Sequence, residues 1–353
     1  MDRRLTILSV AFPFAPVSTD AVGGAEQVLA ALDAALIRAG HRSIVLACEG
    51  SVVAGELVAI PAVRGMIDAA ARAEVHAALR TAMARVLTAR AIDVVHLHGI
   101  DFADYLPPLG PTVLATLHLP VEWYPRTALH PARPRTFLHA VSHAQDRALR
   151  ALADPAAVLP PIPNGVDVAA LGATRHARRR FALILGRLCP EKGQHIALDA
   201  ARRASMPLLI AGAAFPYPAH QDYVARAIRP RLGAGRLLGP VGFARKRRLL
   251  SAARCLLIPS LAPETSSLVA MEAAACGTPV IAFPNGALPE IIEDGATGFL
   301  VRDTDAMAEA IGRAHLIDPE TCRRLARARF SHEAMAGAYL RLYEQLAPVA
   351  AAP

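Results

Sequence analysis

The sequence has little lysine, few aromatic residues and no long apolar run. Of its 353 residues, 36 are arginine and only two, Lys192 and Lys246, are lysine. Aromatic residues make up 5% of the chain and are not interleaved with basic residues, which argues against nucleic-acid binding. No apolar run reaches about eighteen residues, so the sequence predicts no membrane-spanning helix. The five cysteines are scattered, odd in number and form no metal-like pair, so we expect a reduced, cytoplasmic setting.

Several motifs that would assign a function are also missing. The first residues, Met-Asp-Arg-Arg before a short apolar strand, lack a cleavage site and do not predict a signal peptide. Gly23 and Gly24 open the first predicted helix, but no GxGxxG follows, so the dinucleotide fingerprint is absent. We identify no Asp-x-Asp metal pair. The sequence therefore predicts neither a bound metal nor a cofactor.

The formal charge of +8 is unevenly distributed. Up to residue 170 there are 14 basic and 15 acidic residues, a balance of −1, and beyond it 24 against 15, a balance of +9. A basic second half suits an anionic ligand. The clusters at 175–180 and 245–248 are interpreted as a solvated linker and a solvated helix face.

Apolar strands alternate with helical segments twice along the chain, on either side of the proline-rich stretch 159–165. Repeated strand–helix units imply parallel sheets with right-handed crossovers. The sequence thus predicts an α/β protein with two Rossmann-like domains facing across a cleft. The predicted boundaries are residues 1–168, 169–330 and a last helical segment, 331–353, that crosses back to the first domain.

The most informative segment places Glu264 and Glu272 eight positions apart, just after the apolar strand Cys255–Ile258. A helix is predicted from about Ser266 to Cys276, at the carboxyl end of that strand, where ligands bind in open α/β sheets. A helix start offers free backbone N–H groups to phosphate. Glu272 lies about two turns further on and could accept hydrogen bonds from ligand hydroxyls.

A second turn, Gly186–Gly193, follows the first strand of the second half. Arg187 and Lys192 flank it at the carboxyl edge of the predicted sheet. Two cations there could neutralise a diphosphate leaving group, because arginine offers paired hydrogen bonds and lysine a point charge. A surface arginine and lysine on an ordinary loop remain the alternative for this turn taken alone.

Histidines near strand ends are weaker candidates. His118 ends the apolar strand that begins at Thr112 and could point into a cleft, although a satisfied, partly buried histidine is an equal alternative. His96 and His98 are expected on opposite faces of their strand, so we propose no metal site for them.

Taken together, these segments resemble a retaining GT-B glycosyltransferase of family four. The diglycine at 23–24, the turn at 186–193, the block at 264–279 and the tail from Phe330 all take part in this resemblance. Many relatives carry Phe-Gly after the first glutamate of the block, where this chain has Ser266 and Ser267, which we interpret as a subgroup mark.

The resemblance implies a role for each site residue. The second domain would hold a nucleotide-diphosphate sugar, a UDP- or GDP-sugar, and the first would hold the acceptor, a small molecule, glycan or lipid-linked glycan. Contact with a membrane surface is left open. Arg187 and Lys192 would grip the diphosphate, Glu264 the sugar hydroxyls and Glu272 the ribose. The other donor contacts would come from Ser266, Ser267, Leu268, Val241 beside the base, and, from the first domain, Gly23, Gly24 and His118.

Two alternatives stay open at this point. A nucleotide-sugar 2-epimerase of similar shape would need an acid–base set to activate water. A catalytically silent nucleotide-sugar binding subunit would not need the glutamate pair. The turn with Arg187 and Lys192 and the spaced glutamates favour transfer without a metal. The family resemblance implies a front-face route, in which the leaving phosphate accepts the acceptor's proton on the same face of the sugar.

Overall fold

The computed structural model describes residues 3–348. Contacts divide them into two compact units, residues 3–163 with 333–348 and residues 164–332. The sequence placed boundaries at 168 and 330 instead, and its assignment of domain roles stays a prediction. No helix within the described range is long and apolar enough to cross a membrane.

The strands and helices alternate through both units. The strands are β1 Thr6–Val10, β2 Arg42–Cys48, β3 Glu56–Ile60, β4 Val94–Leu97, β5 Thr112–Leu117, β6 Thr136–Ala140, β7 Ala182–Leu185, β8 Leu208–Ala211, β9 Arg236–Gly239, β10 Cys255–Ile258, β11 Val280–Ala282 and β12 Gly298–Leu300. The helices are α1 Gly24–Arg38, α2 Ala69–Ala89, α3 Arg126–Leu129, α4 His143–Leu152, α5 Val168–Gly172, α6 Gln194–Arg203, α7 Pro218–Tyr223, α8 Phe243–Ala252, α9 Leu268–Ala275, α10 Leu288–Ile291, α11 Thr304–Arg313, α12 Pro319–Arg329 and α13 His332–Leu346.

Each unit contains one six-stranded parallel sheet. The strand orders are β3-β2-β1-β4-β5-β6 and β12-β11-β10-β7-β8-β9. Their central strands are short runs of aliphatic residues buried on both faces, as expected when helices cover both sides of a parallel sheet. The predicted α/β class with two Rossmann-like sheets is confirmed.

In both sheets the strand order reverses at one position. The reversal lies between β1 and β4 in the first unit and between β7 and β10 in the second. Leu183 pairs with Leu256 across the second reversal. At such a position the loops after the two strands diverge to opposite sides and leave a crevice at their carboxyl ends. The fold therefore puts a ligand-binding edge at the turns after β7 and β10.

The final helix, α13, packs on the first unit. Tyr339 and Tyr343 are fully buried, and the Tyr343 hydroxyl lies 2.7 Å from Nδ1 of His96. Thr112 Oγ1 donates to the carbonyl of Leu346 over 2.9 Å. These contacts bind the end of the described chain to β4 and β5.

The expectation that His96 and His98 face opposite sides is wrong. Their ring centroids lie 3.9 Å apart, and Nδ1 of His98 lies 3.0 Å from Nε2 of His118. Side chains alternate along a strand with a period of two, so residues two apart share a face. With His139 from β6, they form a buried histidine cluster against Tyr339.

We expect this cluster to make the first unit sensitive to acid. Burial, with a smaller contribution from the neighbouring His118, lowers the pKa of His139 to about 3, and burial lowers the pKa of His118 to about 4. As pH falls below about 6.5, histidines of the unfolded chain bind protons before these folded ones do, so the free energy of unfolding decreases until pH reaches the folded pKa. Each such histidine contributes a slope of up to about 1.4 kcal/mol per pH unit.

Urea unfolding between pH 7 and 4 measures this effect. The chain's one tryptophan, Trp123, lies in the first unit, so its fluorescence follows that unit. His139→Phe removes one buried titrating ring, so the free energy of unfolding should depend less steeply on pH. The exposed His130 of the same unit provides the control, and His130→Ala should leave the pH dependence of the free energy of unfolding unchanged. Equal slopes for wild type and His139→Phe would contradict the assignment.

Candidate functional site

The turn after β7 and the loop after β10 are joined directly at the reversal. Gly193 has φ of 64° and lies so close to the Pro259 carbonyl that a Cβ would collide with it. Leu261 N–H donates to the Glu191 carbonyl over 2.8 Å. Because only glycine adopts this conformation readily and leaves room for the second backbone, Gly193 fixes the turn against the neighbouring loop.

Lys192 and Glu264 meet across this junction. The Lys192 Nζ lies 2.6 Å from Oε1 of Glu264, and the Ser260 hydroxyl donates to the same oxygen. Burial opposes ionisation of Glu264, but the charge and hydrogen bond of Lys192, with that of Ser260, outweigh it, so the carboxyl pKa lies below its ordinary value. Glu264 is therefore ionised at neutral pH.

The backbone around Glu264 is held in place from the next loop. Ala287 N–H donates to the Glu264 carbonyl over 2.7 Å, and Asn285 Nδ2 donates to the Ser260 carbonyl over 2.6 Å. Gly286, with φ of 62°, packs directly against the Glu264 backbone. The carboxylate is therefore carried by a fixed segment rather than by a free loop.

Helix α9 begins at Leu268, two residues later than the sequence predicted. Its N-cap is Ser267, and the hydroxyls of Ser266 and Ser267 are buried with no hydrogen-bond partner in residues 3–348. Buried polar groups usually have partners, and a helix start with two free hydroxyls suits a phosphate or sugar oxygen. Gly277, with φ of 77°, ends the helix.

Glu272, in the second turn of α9, is paired with the second lysine of the chain. Lys246 Nζ on α8 donates to Oε1 of Glu272, and both side chains are buried. Burial raises the pKa of Glu272 above its ordinary value, although the charge of Lys246 opposes the shift. Both lysines of the chain thus contact the two glutamates that the sequence singled out.

The sequence interpretation of the two basic clusters needs correction. Lys246 is buried, although its neighbours Arg245 and Arg248 are exposed, as expected for a helix face. In the other cluster Arg178 is half-buried and donates to the carbonyls of Ala253 and Gly277. Lys246 could have been singled out in the sequence because the chain has only two lysines.

An Asp-x-Asp does occur, contrary to our expectation, at Asp303-Thr304-Asp305. Asp303 caps α11 by accepting from Ala306 N–H over 2.8 Å, and the exposed Asp305 pairs with Arg203. The two carboxylates therefore have structural roles, Asp303 as a helix cap and Asp305 in an exposed ion pair.

Arg187 and Val241 lie at the same edge of the second sheet. Arg187 is half-buried, and its guanidinium lies 5.4 Å from the ring centroid of Phe215. Val241 follows β9 in the loop that leads to Gly242, the N-cap of α8. The carboxyl ends of β7, β9 and β10 therefore carry all the candidate residues of this unit except Glu272, which lies further along α9.

The candidates of the first unit lie at the corresponding edge of its own sheet. Gly23 is the N-cap of α1, and a Cβ there would collide with the carboxylate of Glu26, which folds back over the helix start. Gly24 opens the helix and is exposed. His118 follows β5, and its backbone N–H donates to the Tyr124 hydroxyl over 3.0 Å.

Family models match most of the chain. One described as Glycosyltransferase Family 4 matches residues 22–170, and one described as Glycosyl transferases group 1 matches residues 179–315. The chain belongs to glycosyltransferase family 4. The family resemblance inferred from the sequence is thereby confirmed.

Individual family-4 relatives agree with this assignment. A D-inositol 3-phosphate glycosyltransferase of Acidothermus cellulolyticus is 33% identical over 195 residues, which cover 48% of this chain and 43% of the relative. The matched segment thus spans less than half the length of that curated protein.

Solved structures match the fold over nearly the whole chain. AviGT4, a glycosyltransferase involved in avilamycin A biosynthesis, is 26% identical with a TM-score of 0.70, covering 97% of this chain and 98% of its own. Anabaena Alr3699/HepE in complex with UDP-glucose is 20% identical with a TM-score of 0.74, covering 97% and 100%. The fold is that of the GT-B glycosyltransferases.

Proposed function

We propose that the protein is a retaining glycosyltransferase that moves a sugar from a nucleotide-diphosphate donor to an acceptor. The observation that carries the proposal is the Lys192–Glu264 pair at the strand-order reversal, beside the start of α9. A cation, a carboxylate and a helix start lie together where an open α/β sheet binds ligands. These are the groups that a charged leaving group and a sugar with several hydroxyls require.

The chemistry assigned to the site is stabilisation of the departing diphosphate. Breaking the bond between the anomeric carbon and the phosphate leaves negative charge on the phosphate oxygen. Lys192, Arg187 and the start of α9 with Ser266, Ser267 and Leu268 are placed to balance that charge without rearranging. The Glu264 carboxylate accepts hydrogen bonds from donor-sugar hydroxyls and orients the ring.

The remaining donor contacts follow the same sheet edge. Glu272, held by Lys246, accepts hydrogen bonds from the ribose hydroxyls, and the loop at Val241 contacts the base. Gly23, Gly24 and His118, at the carboxyl edge of their own sheet, are the donor contacts proposed for the first unit. The proposed donor is a UDP- or GDP-sugar, since UDP-glucose is bound in HepE. The acceptor is a small molecule, glycan or lipid-linked glycan.

Retention is assigned to a front-face route. In this route the acceptor oxygen attacks from the side that the phosphate leaves, and the leaving phosphate takes the acceptor's proton. A double displacement would need a carboxylate free to bond the anomeric carbon. Glu264 is already held by Lys192 and Ser260, which favours the front-face route.

The experiment incubates the protein with a panel of nucleotide sugars and measures released nucleoside diphosphate, with and without candidate acceptors. NMR of the product's anomeric proton then gives its configuration. Acceptor-dependent release and a retained configuration are expected. A product with inverted anomeric configuration would contradict the proposed mechanism. If no donor released nucleoside diphosphate, a catalytically silent binding subunit would be favoured.

A 2-epimerase is the second enzymatic candidate. It would release nucleoside diphosphate from a 2-acetamido donor without an acceptor. The same panel therefore distinguishes it from a transferase.

We expect EDTA to leave turnover largely intact. Lys192 and Arg187 supply the positive charge that a divalent metal ion would otherwise supply at the diphosphate. Steady-state rates before and after EDTA treatment, followed by added magnesium or manganese, measure this. A complete loss that either metal restores would show that the two cations do not suffice.

A further inference from the structure

One group of potential metal ligands lies beside the candidate site and has no part in the proposed reaction. The Cys189 sulfur, a Glu191 carboxylate oxygen and a His220 ring nitrogen all lie within 4.8 Å of one another. It is the one group of three or more such side chains found within residues 3–348. Cys189 and Glu191 belong to the turn after β7, whereas His220 belongs to α7.

We propose that Cys189, Glu191 and His220 form a binding site for a thiophilic divalent cation, Zn²⁺ in the first place. Sulfur, imidazole nitrogen and carboxylate oxygen are the three ligand types that zinc accepts, with bonds of about 2.0 to 2.3 Å. A thiolate ligand selects against Mg²⁺ and Ca²⁺, which prefer oxygen. Three protein ligands leave a fourth position for water.

The protonation state of His220 suits this assignment, whereas Cys189 must lose its proton when the metal binds. Burial lowers the pKa of His220, so its imidazole is neutral near pH 7 and can donate a lone pair. Nδ1 of His220 is buried with no hydrogen-bond partner among the described residues, which a metal bond or a ligand would remedy. Burial raises the pKa of Cys189 to about 12, with a smaller contribution from Glu191. Binding must therefore release the thiol proton.

The site would join two segments that other contacts already bring together. The Tyr223 hydroxyl at the end of α7 accepts from His195 N–H over 3.1 Å, and Phe215 in the loop before α7 packs under Arg187. The Glu191 carbonyl accepts from Leu261 N–H. A metal ion here would fix the turn that carries Arg187 and Lys192 against α7, apart from the chemistry of the leaving group.

The test titrates Zn²⁺ into tag-free protein that has been treated with EDTA and desalted. Calorimetry in two buffers should give one zinc per chain and about one proton released near pH 7.5. At about a hundredfold excess over the dissociation constant, the melting temperature should rise by several degrees. Mg²⁺ at the same concentration should change neither quantity.

Cobalt gives a readout that only a thiolate ligand produces. Co²⁺ should add a sulfur-to-metal charge-transfer band in the near ultraviolet, and Cys189→Ser should abolish it. His220→Ala, at a half-buried position, should also lose the zinc-dependent rise in melting temperature and remains informative if Cys189→Ser fails to fold. Cys322→Ser and His315→Ala are the matched controls. Both should keep the cobalt charge-transfer band and the zinc-dependent rise in melting temperature.

The outcome that overturns the proposal is equally concrete. Absence of the charge-transfer band in folded wild-type protein, or zinc binding of unchanged stoichiometry in His220→Ala, would show that the three side chains form only a polar cluster. Neither result depends on glycosyl transfer, so the proposed function stands or fails separately.

Discussion

Replacing Lys192 with alanine is expected to lower turnover by about a hundredfold, which is a common cost of removing one group that stabilises developing charge. In the proposed function Lys192 balances the charge that appears on the diphosphate, and the other lysine of the chain, Lys246, is already paired with Glu272. Its side chain is about one-third exposed, so we expect a smaller effect on folding, on the order of 1 to 2 kcal/mol. Steady-state kinetics and thermal unfolding of the same preparation measure both quantities.

The controls separate the loss of charge at the diphosphate from the loss of the partner of Glu264. Lys192→Arg keeps a cation and should restore part of the turnover. Lys192→Ala combined with Glu264→Gln removes the unpaired carboxylate and should stay slow. Arg203→Ala removes an exposed cation at the other end of α6 and should have no effect. Near wild-type turnover of Lys192→Ala would show that Lys192 does not stabilise the charge on the departing diphosphate.

Glu264→Gln and Glu272→Gln are expected to change different kinetic constants. In the proposed function Glu264 contacts the sugar, whose charge and shape change in the transition state, so Glu264→Gln should mainly lower kcat, on the order of a hundredfold. The contact proposed for Glu272 is with the ribose, which does not change during the reaction. Glu272→Gln should therefore raise the donor KM by about tenfold with a smaller change in kcat.

Both substitutions leave a lysine without its carboxylate, and this allows a matched test. Lys246→Met should reproduce the KM effect of Glu272→Gln, because Lys246 positions that carboxylate without contacting the donor. Breaking the buried Lys246–Glu272 pair also lowers the free energy of unfolding. The melting temperature of each variant must therefore be measured together with its kinetics. Equal changes in kcat and KM in the two glutamine variants would contradict the assignment of Glu264 to the sugar and Glu272 to the ribose. Two fully active variants would show that neither glutamate takes part in the reaction.

Much of the architecture could be predicted from local sequence. Short aliphatic runs bounded by glycine and proline placed the strands of both sheets, and the repeated alternation gave the parallel α/β class. Helix ends were less accurate. The predicted start of α9 at Ser266 was two residues early, since Ser267 occupies the N-cap position without a side-chain capping bond. Cys276 and Gly277 marked the end of the helix correctly.

The side-chain partners were harder to predict because they come from distant elements. Lys192 and Glu264 are 72 residues apart and Lys246 and Glu272 are 26 apart, and no local pattern pairs them. His220 reaches Cys189 only because the loop after β8 folds back over the turn after β7. The error about His96 and His98 was of another kind, since the period of a strand already places them on one face.

The sequence by itself determined which residue types stand at the ends of β7 and β10, because the run of apolar residues fixes where each strand stops. The block at 264–279 and the turn at 186–193 also carried the resemblance to the family that the family models match. Only the tertiary structure decided which cation serves which carboxylate. That choice depends on the strand order, which sets β7 beside β10, and on burial, which makes an unpaired charge too costly to leave.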